Sequence, residues 1–370
     1  MSSTVIIKPT HGCNLACEYC YVGECANSSF MNSKTLENSI EKIIKFQQDK
    51  KSDVEFLWHG GEPLLLGIEF YKEVSRLIKY HNSEEKTKVR NSIQTNATLL
   101  TDEIIDYLSN PSHYFAIGLS LDGPKEIHNK TRHYKNGAGT FDKVMQAIKL
   151  LKNRDKRVGA ISVISRSNYQ DMDKIYQFFK EEDINLKANP LIFSGRGEEN
   201  EENLAISPNE YGKAMIKLFD IWFDDPEPNM EMTIDNFDSL VRTKLTQSTY
   251  GCNFSHNCQN SFISIGPEGD VYPCGRFDEE EEFKFGNIND DSIDDILKNE
   301  KRERLLKRQD SLKSCQSCDH MNLCNGGCMH NAYMKSKDPM TKDYYCTAYK
   351  MMFDYIFKRV DAELEQAKGR

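Results

Sequence analysis

The chain contains no run of about 18 consecutive apolar residues, so the sequence predicts no membrane-spanning helix. Its first ten residues do not combine a basic region with an apolar core, and we therefore expect no signal peptide. Basic residues are not in excess, because 48 Lys and Arg face 57 Asp and Glu, and the net charge is −9. That balance argues against a nucleic-acid partner. We expect a cytoplasmic protein that contacts neither membrane nor nucleic acid.

Cysteine is absent from residues 26 to 251, although the chain has 12 cysteines. Cys25 stands alone, three others precede it, and the remaining eight fall between Cys252 and Cys346. Disulfide frameworks belong to oxidising compartments and small domains, and neither condition fits this chain. Clustered thiols in a reducing compartment instead indicate iron–sulfur or metal ligands.

At 370 residues the chain is longer than a typical single domain, with 38% hydrophobic and 28% charged residues. Such a composition is ordinary for a protein that buries a core. We predict a barrel over residues 1–205, a helical linker over 206–250, a cysteine-rich domain over 251–350 and a C-terminal helix over 351–370.

Residues 5–193 alternate strand-like runs with amphipathic helical patterns, which is typical of repeated βα units and a parallel sheet. The predicted strands are near Val5–Lys8, Val54–Trp58, Val89–Thr95, Tyr114–Leu121, Val158–Ile164 and Leu186–Ile192. The predicted helices are Ser33–Phe46, Glu69–Lys79, Asp102–Ser109, Thr140–Lys152 and Tyr169–Glu182, followed by Pro208–Phe223 and Ile234–Thr246. Six units predict an α/β fold, an open and partial (β/α)6 barrel.

The stretch from Tyr114 to Asp122 favours a barrel over a flat sheet. Its large apolar side chains alternate with small or polar ones, so the two kinds lie on opposite faces. A small and polar inner face suits a strand that lines a ligand cavity at its C-terminal end. The run from Asn91 to Asn96 repeats this pattern on the neighbouring strand.

The stretch Cys13-Asn14-Leu15-Ala16-Cys17-Glu18-Tyr19-Cys20 is a C-x3-C-x2-C run. Three closely spaced thiolates can hold three irons of a [4Fe-4S] cube and leave the fourth iron open. Structural zinc is the alternative, but it requires four ligands, and only Cys25 follows nearby.

The C-x3-C-x2-C run, the loop His59-Gly60-Gly61-Glu62-Pro63 and the Gly118–Gly123 stretch with His128 and Arg132 together resemble the radical SAM enzymes. The resemblance implies that Cys13, Cys17 and Cys20 hold a cluster that cleaves S-adenosyl-L-methionine (SAM). It also implies SAM contacts from Tyr19, Gly60, Gly61, Glu62, Asn96, Ser120, Asp122 and Arg132. Turn chemistry alone also accounts for the two glycines, and a surface ion pair for Arg132.

Two acidic stretches carry no such motif. We expect Ser194–Asn203 to form a mobile, solvated loop at the mouth of the barrel, because glycines flank a run of acidic residues. The run Glu279–Glu282 is likewise expected to be a solvated loop.

The later cysteines have the core spacing C-x2-C-x5-C-x3-C, which resembles the SPASM extension of radical SAM proteins and its two auxiliary [4Fe-4S] clusters. The resemblance implies that Cys252, Cys258, Cys274 and Cys328 hold the first auxiliary cluster. It assigns Cys315, Cys318, Cys324 and Cys346 to the second, which makes three clusters in all. Two zinc sites are the alternative, because thiolate ligation alone does not select the metal.

The chain also resembles anaerobic sulfatase-maturating enzymes and peptide maturases of the same subfamily. The sulfatase maturases carry an aspartate directly after the Cys of the Tyr-Pro-Cys motif, whereas this chain has Gly275 there, followed by Arg276. Asp278 is the nearest downstream carboxylate, so Asp278 and Arg276 are the candidate catalytic residues.

The leading hypothesis is therefore a radical SAM oxidoreductase that crosslinks a ribosomal peptide through a thioether or a carbon–carbon bond. The alternative is a maturase that converts Cys or Ser of a sulfatase to formylglycine, and a non-catalytic scaffold is a third reading. We expect a monomer that takes electrons from a flavodoxin or ferredoxin.

Overall fold

The computed structural model describes residues 3–23, 29–229 and 231–368, so Cys25 lies outside the described residues. Its nine strands are β1 (Ser3–Ile7), β2 (Val54–Trp58), β3 (Val89–Thr95), β4 (Phe115–Ser120), β5 (Gly159–Ile164), β6 (Asn185–Pro190), β7 (Phe262–Ile265), β8 (Asp270–Tyr272) and β9 (Gly286–Asn287). They form one sheet in the order β6-β5-β4-β3-β2-β1-β7-β8-β9. In the described part of the chain, no helix is both long and apolar enough to cross a membrane.

Strands β1 to β6 pair in parallel, which confirms the predicted series of βα units. Their ends differ from the predicted ends by at most two residues. On β2, Val54, Phe56 and Trp58 are fully buried while the residues between them are not. This alternation is what a strand covered by helices on one face requires.

The helices follow the predicted order. They are α1 (Ser33–Lys50), α2 (Gly67–His81), α3 (Asp102–Leu108), α4 (Lys125–His128), α5 (Phe141–Lys152), α6 (Met172–Glu181), α7 (Arg196–Glu199), α8 (Glu201–Leu204), α9 (Pro208–Phe223), α10 (Asp235–Thr246), α11 (Ile293–Leu297), α12 (Glu300–Leu306), α13 (Arg308–Ser311), α14 (Met321–Cys324), α15 (Met329–Ser336) and α16 (Cys346–Lys368). Helix α9 begins at a capping box in which the side chains of Ser207 and Glu210 each bond the other's backbone N–H.

The cysteine-rich region continues the sheet of the barrel. Strand β7 pairs in parallel with β1, and β8 and β9 then add antiparallel strands at that side. The Gly266–Gly269 turn joins β7 and β8 into a hairpin, and Gly269 has a left-handed φ of +93°. Strand β1 is therefore internal to the sheet, with β2 on one side and β7 on the other.

The prediction of a loop at Ser194–Asn203 is wrong, whereas the predicted solvation of its acidic run agrees with the exposure of Glu198, Glu199 and Glu202. The segment contains α7 and α8, and it packs on the loop that carries the first cysteines. The N–H of Arg196 donates to the Cys20 carbonyl at 2.9 Å, and the Asn200 amide donates to the Glu18 carbonyl at 2.8 Å. Gly195 permits this approach, because a Cβ there would lie 2.5 Å from the Gly23 nitrogen. The acidic side chains face outward while the backbone is bound.

Helix α16 packs on α9 and α10. Gly212 of α9 allows the close approach, since a Cβ at this position would lie 3.0 Å from the Cα of Ala348. At the rim, Arg359 pairs with Asp220 at 2.8 Å and with Asp224 at 2.6 Å. The last cysteine, Cys346, is the first residue of α16. The helix that packs on α9 and α10 therefore also carries a thiol at its N-terminus.

Candidate active site

The loop that carries the first three cysteines is fixed through its backbone. The N–H of Ala16 donates to the His133 carbonyl, and the N–H of Glu18 donates to the Thr131 carbonyl, both at 2.9 Å. The three thiols are close enough for their charges to interact. Burial raises the pKa of Cys13 to about 12 and that of Cys17 to about 11, so both free thiols are protonated at neutral pH. Metal binding must therefore displace protons.

Gly60 and Gly61 are required by the packing of two loops. A Cβ on Gly60 would lie 2.3 Å from the carbonyl oxygen of Thr10, and one on Gly61 would lie 2.2 Å from that of Gly12. The N–H of Gly61 donates to the Thr10 carbonyl at 3.1 Å. The glycine pair thus locks the backbone just before Cys13 against the end of β2.

Glu62 is buried and its two oxygens accept hydrogen bonds from the protein. Oε1 accepts from the N–H of Leu64 at 3.0 Å and from the Thr95 hydroxyl at 2.7 Å, and Oε2 accepts from the N–H of Asn96 at 2.8 Å. Burial raises the pKa of Glu62 to about 7, while these three donors oppose that rise. The structure therefore makes Glu62 a link between the glycine loop and β3.

Asp122 joins the cysteine loop to two strands of the sheet. Its Oδ2 accepts a short hydrogen bond from the Tyr19 hydroxyl and lies 3.1 Å from Nε of Arg132, and its Oδ1 accepts from the N–H of Val163 at 3.0 Å. The Arg132 guanidinium also lies over the Tyr19 ring, 5.1 Å from its centroid. Arg132 is thus part of a buried network and does not form a surface ion pair.

Asn96 is buried beside the cysteine loop, whereas Ser120 is partly exposed. The amide nitrogen of Asn96 donates to Asn14 at 2.9 Å and lies 3.7 Å from the Cys13 sulfur. The Ser120 hydroxyl accepts from Gln94 at 3.4 Å, and both side chains are partly exposed. Seven of the eight residues predicted to contact SAM lie in or against residues 10–20, and the eighth, Ser120, hydrogen-bonds Gln94. The carboxylates of Glu62 and Asp122 already accept hydrogen bonds from protein groups.

A cavity of about 190 Å³ lies beside this loop, between Tyr21–Val22 and the turn Gly275–Glu280. Lys8 is 2% exposed inside it and pairs with Asp278 at 2.9 Å. His11 Nε2 lies 2.8 Å from the same carboxylate oxygen. These two partners hold the pKa of Asp278 below its ordinary value despite burial. The other oxygen of Asp278 is buried and has no partner in the described part of the chain.

Sequence reasoning missed Lys8, Tyr21 and His59. Lys8 directly follows β1 and lies on the same face of that strand as Ile6. It is therefore a charged residue at the C-terminal end of a barrel strand. That position is a known location for functional side chains and was the available signal. His59 follows β2, and burial together with Lys8 lowers its pKa to about 4.

The eight later cysteines fall into two groups. Cys258 lies within charge-interaction range of Cys252, Cys274 and Cys328. Cys346 lies within that range of Cys315, Cys318 and Cys324. Each group contains the four thiols predicted for one auxiliary cluster, although its members come from separated segments. Four thiols in each group are the type of donor that [4Fe-4S] clusters use.

One arginine and one aspartate hold these segments together. Arg308 is 5% exposed and donates to carbonyl oxygens of five residues, namely Asn325, Gly326, Gly327, Pro339 and Thr341. Asp343 accepts from the N–H of Cys328 at 2.8 Å and from the N–H of Tyr345 at 2.7 Å. Hydrogen bonds of buried polar side chains thus connect these segments, as strand pairing connects the segments of the barrel.

A larger groove of about 680 Å³ opens on the outer surface, where α6 faces α9. Its charged lining residues are largely paired, as in Lys180 with Asp225 at 2.7 Å and Asp220 with Arg359 at 2.8 Å. None of its lining residues comes from the cysteine loops. We therefore assign the chemistry to the smaller cavity.

Comparison with known proteins agrees with this arrangement. The model of the Radical SAM superfamily matches residues 7–179, and that of the SPASM iron-sulfur cluster-binding domain matches residues 252–319. A cysteine-type anaerobic sulfatase-maturating enzyme of Clostridium perfringens (strain 13 / Type A) is 31% identical over 370 residues, covering 96% of this chain and 97% of the relative. This chain belongs to the radical SAM family.

Other relatives have the same extent. A serine-type anaerobic sulfatase-maturating enzyme of Bacteroides thetaiotaomicron is 31% identical. The alignment covers 96% of this radical SAM chain and 90% of the relative. The solved structure of native anSMEcpe with bound AdoMet and Kp18Cys peptide superposes with a TM-score of 0.87 at 30% identity, covering 99% of this chain and 100% of that one. The radical SAM protein is therefore an enzyme that uses SAM and iron–sulfur clusters. This finding favours clusters over the zinc sites considered as alternatives.

Proposed function

We propose that this radical SAM enzyme oxidises a side chain of a ribosomal peptide and closes a crosslink, either a thioether or a carbon–carbon bond. The observation that carries the proposal is Gly275, which lines the cavity where the sulfatase maturases that the chain resembles have an aspartate. Glycine cannot accept a proton, so this cavity differs from theirs at the residue that their reaction uses.

The surroundings of Gly275 support this reading. A Cβ here would lie 3.2 Å from Ile6 Cγ2 and 3.4 Å from Lys8 Cε, so a longer side chain would point toward Lys8. In this chain Asp278 is the carboxylate that pairs with Lys8. A carboxylate that is paired and has a lowered pKa is a weaker proton acceptor than a free one.

We assign the SAM-cleaving cluster to Cys13, Cys17 and Cys20. The auxiliary ligand sets are the two groups of four cysteines described above. Within the SAM site, we assign direct contacts to the backbone of Gly60–Gly61 and to the side chains of Asn96, Ser120 and Arg132. Tyr19, Glu62 and Asp122 are positioning residues, because their polar groups already bind neighbouring protein groups.

When bound, the first cluster and SAM supply a 5'-deoxyadenosyl radical that removes a hydrogen atom from the peptide. The cavity between Tyr21 and Gly275 holds the reacting side chain away from bulk water. Lys8 and His11 hold the Asp278 carboxylate at its wall. Crosslinking then removes one further proton and one electron, as the partner atom loses its hydrogen and bonds to the peptide carbon.

Formylglycine formation is a second candidate, favoured by one observation. Asp278 lines the same cavity as Gly275, and its buried Oδ1 has no hydrogen-bond partner among the described residues. Asp278 therefore has a free oxygen with which to accept a proton from a Cys or Ser substrate.

Substrate assays separate the two candidates. The reconstituted enzyme is incubated anaerobically with SAM, a reductant and either a Cys-type sulfatase peptide or short peptides encoded beside its gene. Mass spectrometry then detects formylglycine or the loss of two hydrogens in a crosslink. Crosslinking predicts product only with the neighbouring peptides, and robust formylglycine formation by the unaltered enzyme contradicts it.

Asp278→Asn tests the second candidate directly. If Asp278 is the base, the variant loses about 10²–10⁴-fold in formylglycine yield. The matched control is Asp294→Asn, which removes an exposed carboxylate in α11 and is expected to leave the yield unchanged. We further propose a monomeric, cytoplasmic enzyme supplied with electrons by a flavodoxin or ferredoxin.

A further inference from the structure

Arg276 lies between the cavity and the first group of later cysteines. It lines the cavity together with Tyr21 and Asp278. Its Nη1 donates a hydrogen bond to the sulfur of Cys328, at 3.5 Å. One guanidinium therefore touches both the substrate space and a proposed ligand of the first auxiliary cluster.

The charge of Arg276 has an unusual set of neighbours. Lys8, the buried cation of the cavity, pairs with the carboxylate of Asp278, but none of the ion pairs found among the described residues includes the partly buried Arg276. The groups that act most on it are the thiols of Cys328, Cys252 and Cys274. A cation that is partly removed from water gains from a negative partner, and here the candidates are sulfur ligands.

A cluster with four thiolate ligands supplies such a partner. The reduction potential of an iron–sulfur cluster depends on its net charge, on hydrogen bonds to its sulfurs and on its exposure to solvent. A fixed positive charge with a hydrogen bond to one ligand sulfur stabilises the reduced, more negative cluster. The cluster then accepts an electron more readily.

We propose that Arg276 raises the reduction potential of the first auxiliary cluster, so that this cluster takes the electron released by the peptide. The inference rests on the proposed peptide oxidation. One hydrogen atom leaves the peptide to form 5'-deoxyadenosine, and one proton leaves to water as the new bond closes. The remaining electron passes to the auxiliary cluster beside Arg276 and onward to a carrier of the flavodoxin or ferredoxin class.

The test compares Arg276→Gln, which removes the charge, with Arg276→Lys, which keeps it. Anaerobic redox titrations of the full-length holoenzyme, followed by electron paramagnetic resonance, measure the midpoint of each cluster without substrate. We expect Arg276→Gln to disfavour reduction of one auxiliary cluster at least tenfold, a shift of about 59 mV for one electron. The other two midpoints stay fixed as internal controls.

Arg276→Lys is expected to restore most of the midpoint, and the exposed control Arg304→Gln is expected to leave all three unchanged. With the peptide, Arg276→Gln should form 5'-deoxyadenosine in excess over product, and Arg276→Lys should return the ratio toward that of the unaltered enzyme. An unchanged midpoint in Arg276→Gln with full iron content overturns the proposal. Loss of auxiliary iron in both variants also overturns it, because Arg276 would then hold the cluster in place. Since the titrations need no substrate, failure of the proposed function is seen separately, as absence of any peptide product.

Discussion

Cys13, Cys17 and Cys20 lie in one short loop after the first strand, whereas the eight later cysteines come from segments spread between Cys252 and Cys346. The first loop is held by backbone hydrogen bonds to its neighbours and by two glycines that no larger residue can replace. The later cysteines lie in or beside short strands and helices, and buried side chains such as Arg308 and Asp343 connect these segments.

The difference shows two ways to present thiols. In the barrel, a hydrophobic core and a strand ladder form the frame, and the cysteine loop is attached to that frame. The cysteine-rich region adds apolar side chains such as Phe277 and Phe283 to the same core, and buried polar side chains also connect its segments. We therefore expect metal ligation to matter more for the stability of the second region than for that of the first.

The largest expected effect is the loss of SAM cleavage when the first three cysteines are replaced, while the later cysteines keep their iron. Replacing Cys13, Cys17 and Cys20 together with Ala should abolish SAM cleavage and leave about eight irons per chain, because eight other thiolates can hold two cubes. Iron analysis after anaerobic reconstitution and chromatography of 5'-deoxyadenosine measure both quantities. Fewer than about six irons would show that the later cysteines do not hold two [4Fe-4S] clusters.

The next effect concerns the frame of the cysteine-rich region. Arg308→Met leaves buried carbonyl oxygens of five residues without this donor, each worth about 1–3 kcal/mol when unsatisfied. Iron content should fall from about twelve toward about four per chain, while the SAM-cleaving cluster remains. Arg304→Met, at an exposed site, is the matched control and should keep all the iron.

Trp58→Ala tests the frame of the barrel. Trp58 is fully buried and its ring meets that of Phe70 edge-on at 5.7 Å. The variant should lower the free energy of unfolding by about 3–5 kcal/mol in an anaerobic urea titration. Auxiliary iron should be retained in the folded protein, and its loss would mean that the two frames are not separable.

A smaller effect is expected at Glu62, which links the glycine loop to β3. In Glu62→Gln, the side-chain amide cannot accept from all three of the present donors, and one donor is left unsatisfied. The same urea titration should show a loss of about 1–3 kcal/mol. Glu69→Gln removes only an exposed partner of Lys72 and should change stability by less than about 1 kcal/mol.

The smallest effect is expected at Cys25. The proposed ligand sets use every other cysteine, so Cys25→Ala should change neither iron content nor turnover. Loss of about four irons in this variant would show that the assignment of ligands is wrong.

The sequence by itself determined the order of elements and the identity of the cofactor machinery. The 2-residue and 3.6-residue periods predicted strands β1 to β6 and the main helices, because each period reports which face of an element is buried. The spacing of the cysteines predicted the two later ligand groups, and this assignment stays a prediction. The Gly60–Gly61 pair was also identified, although its close approach is to the backbone of Thr10 and Gly12.

Tertiary structure alone decided the contacts between distant segments. No local sequence pattern indicates these contacts. They are the pairing of β7 with β1, the docking of Ser194–Asn203 on the cysteine loop, the Lys8–Asp278 pair and the approach of Arg276 to Cys328. Periodicity reports only whether a residue faces the core, whereas these partners depend on how whole elements are placed against one another. The acidic run at Ser194–Asn203 shows this difference, because its side chains indicated solvent while its backbone was bound by the loop beneath it.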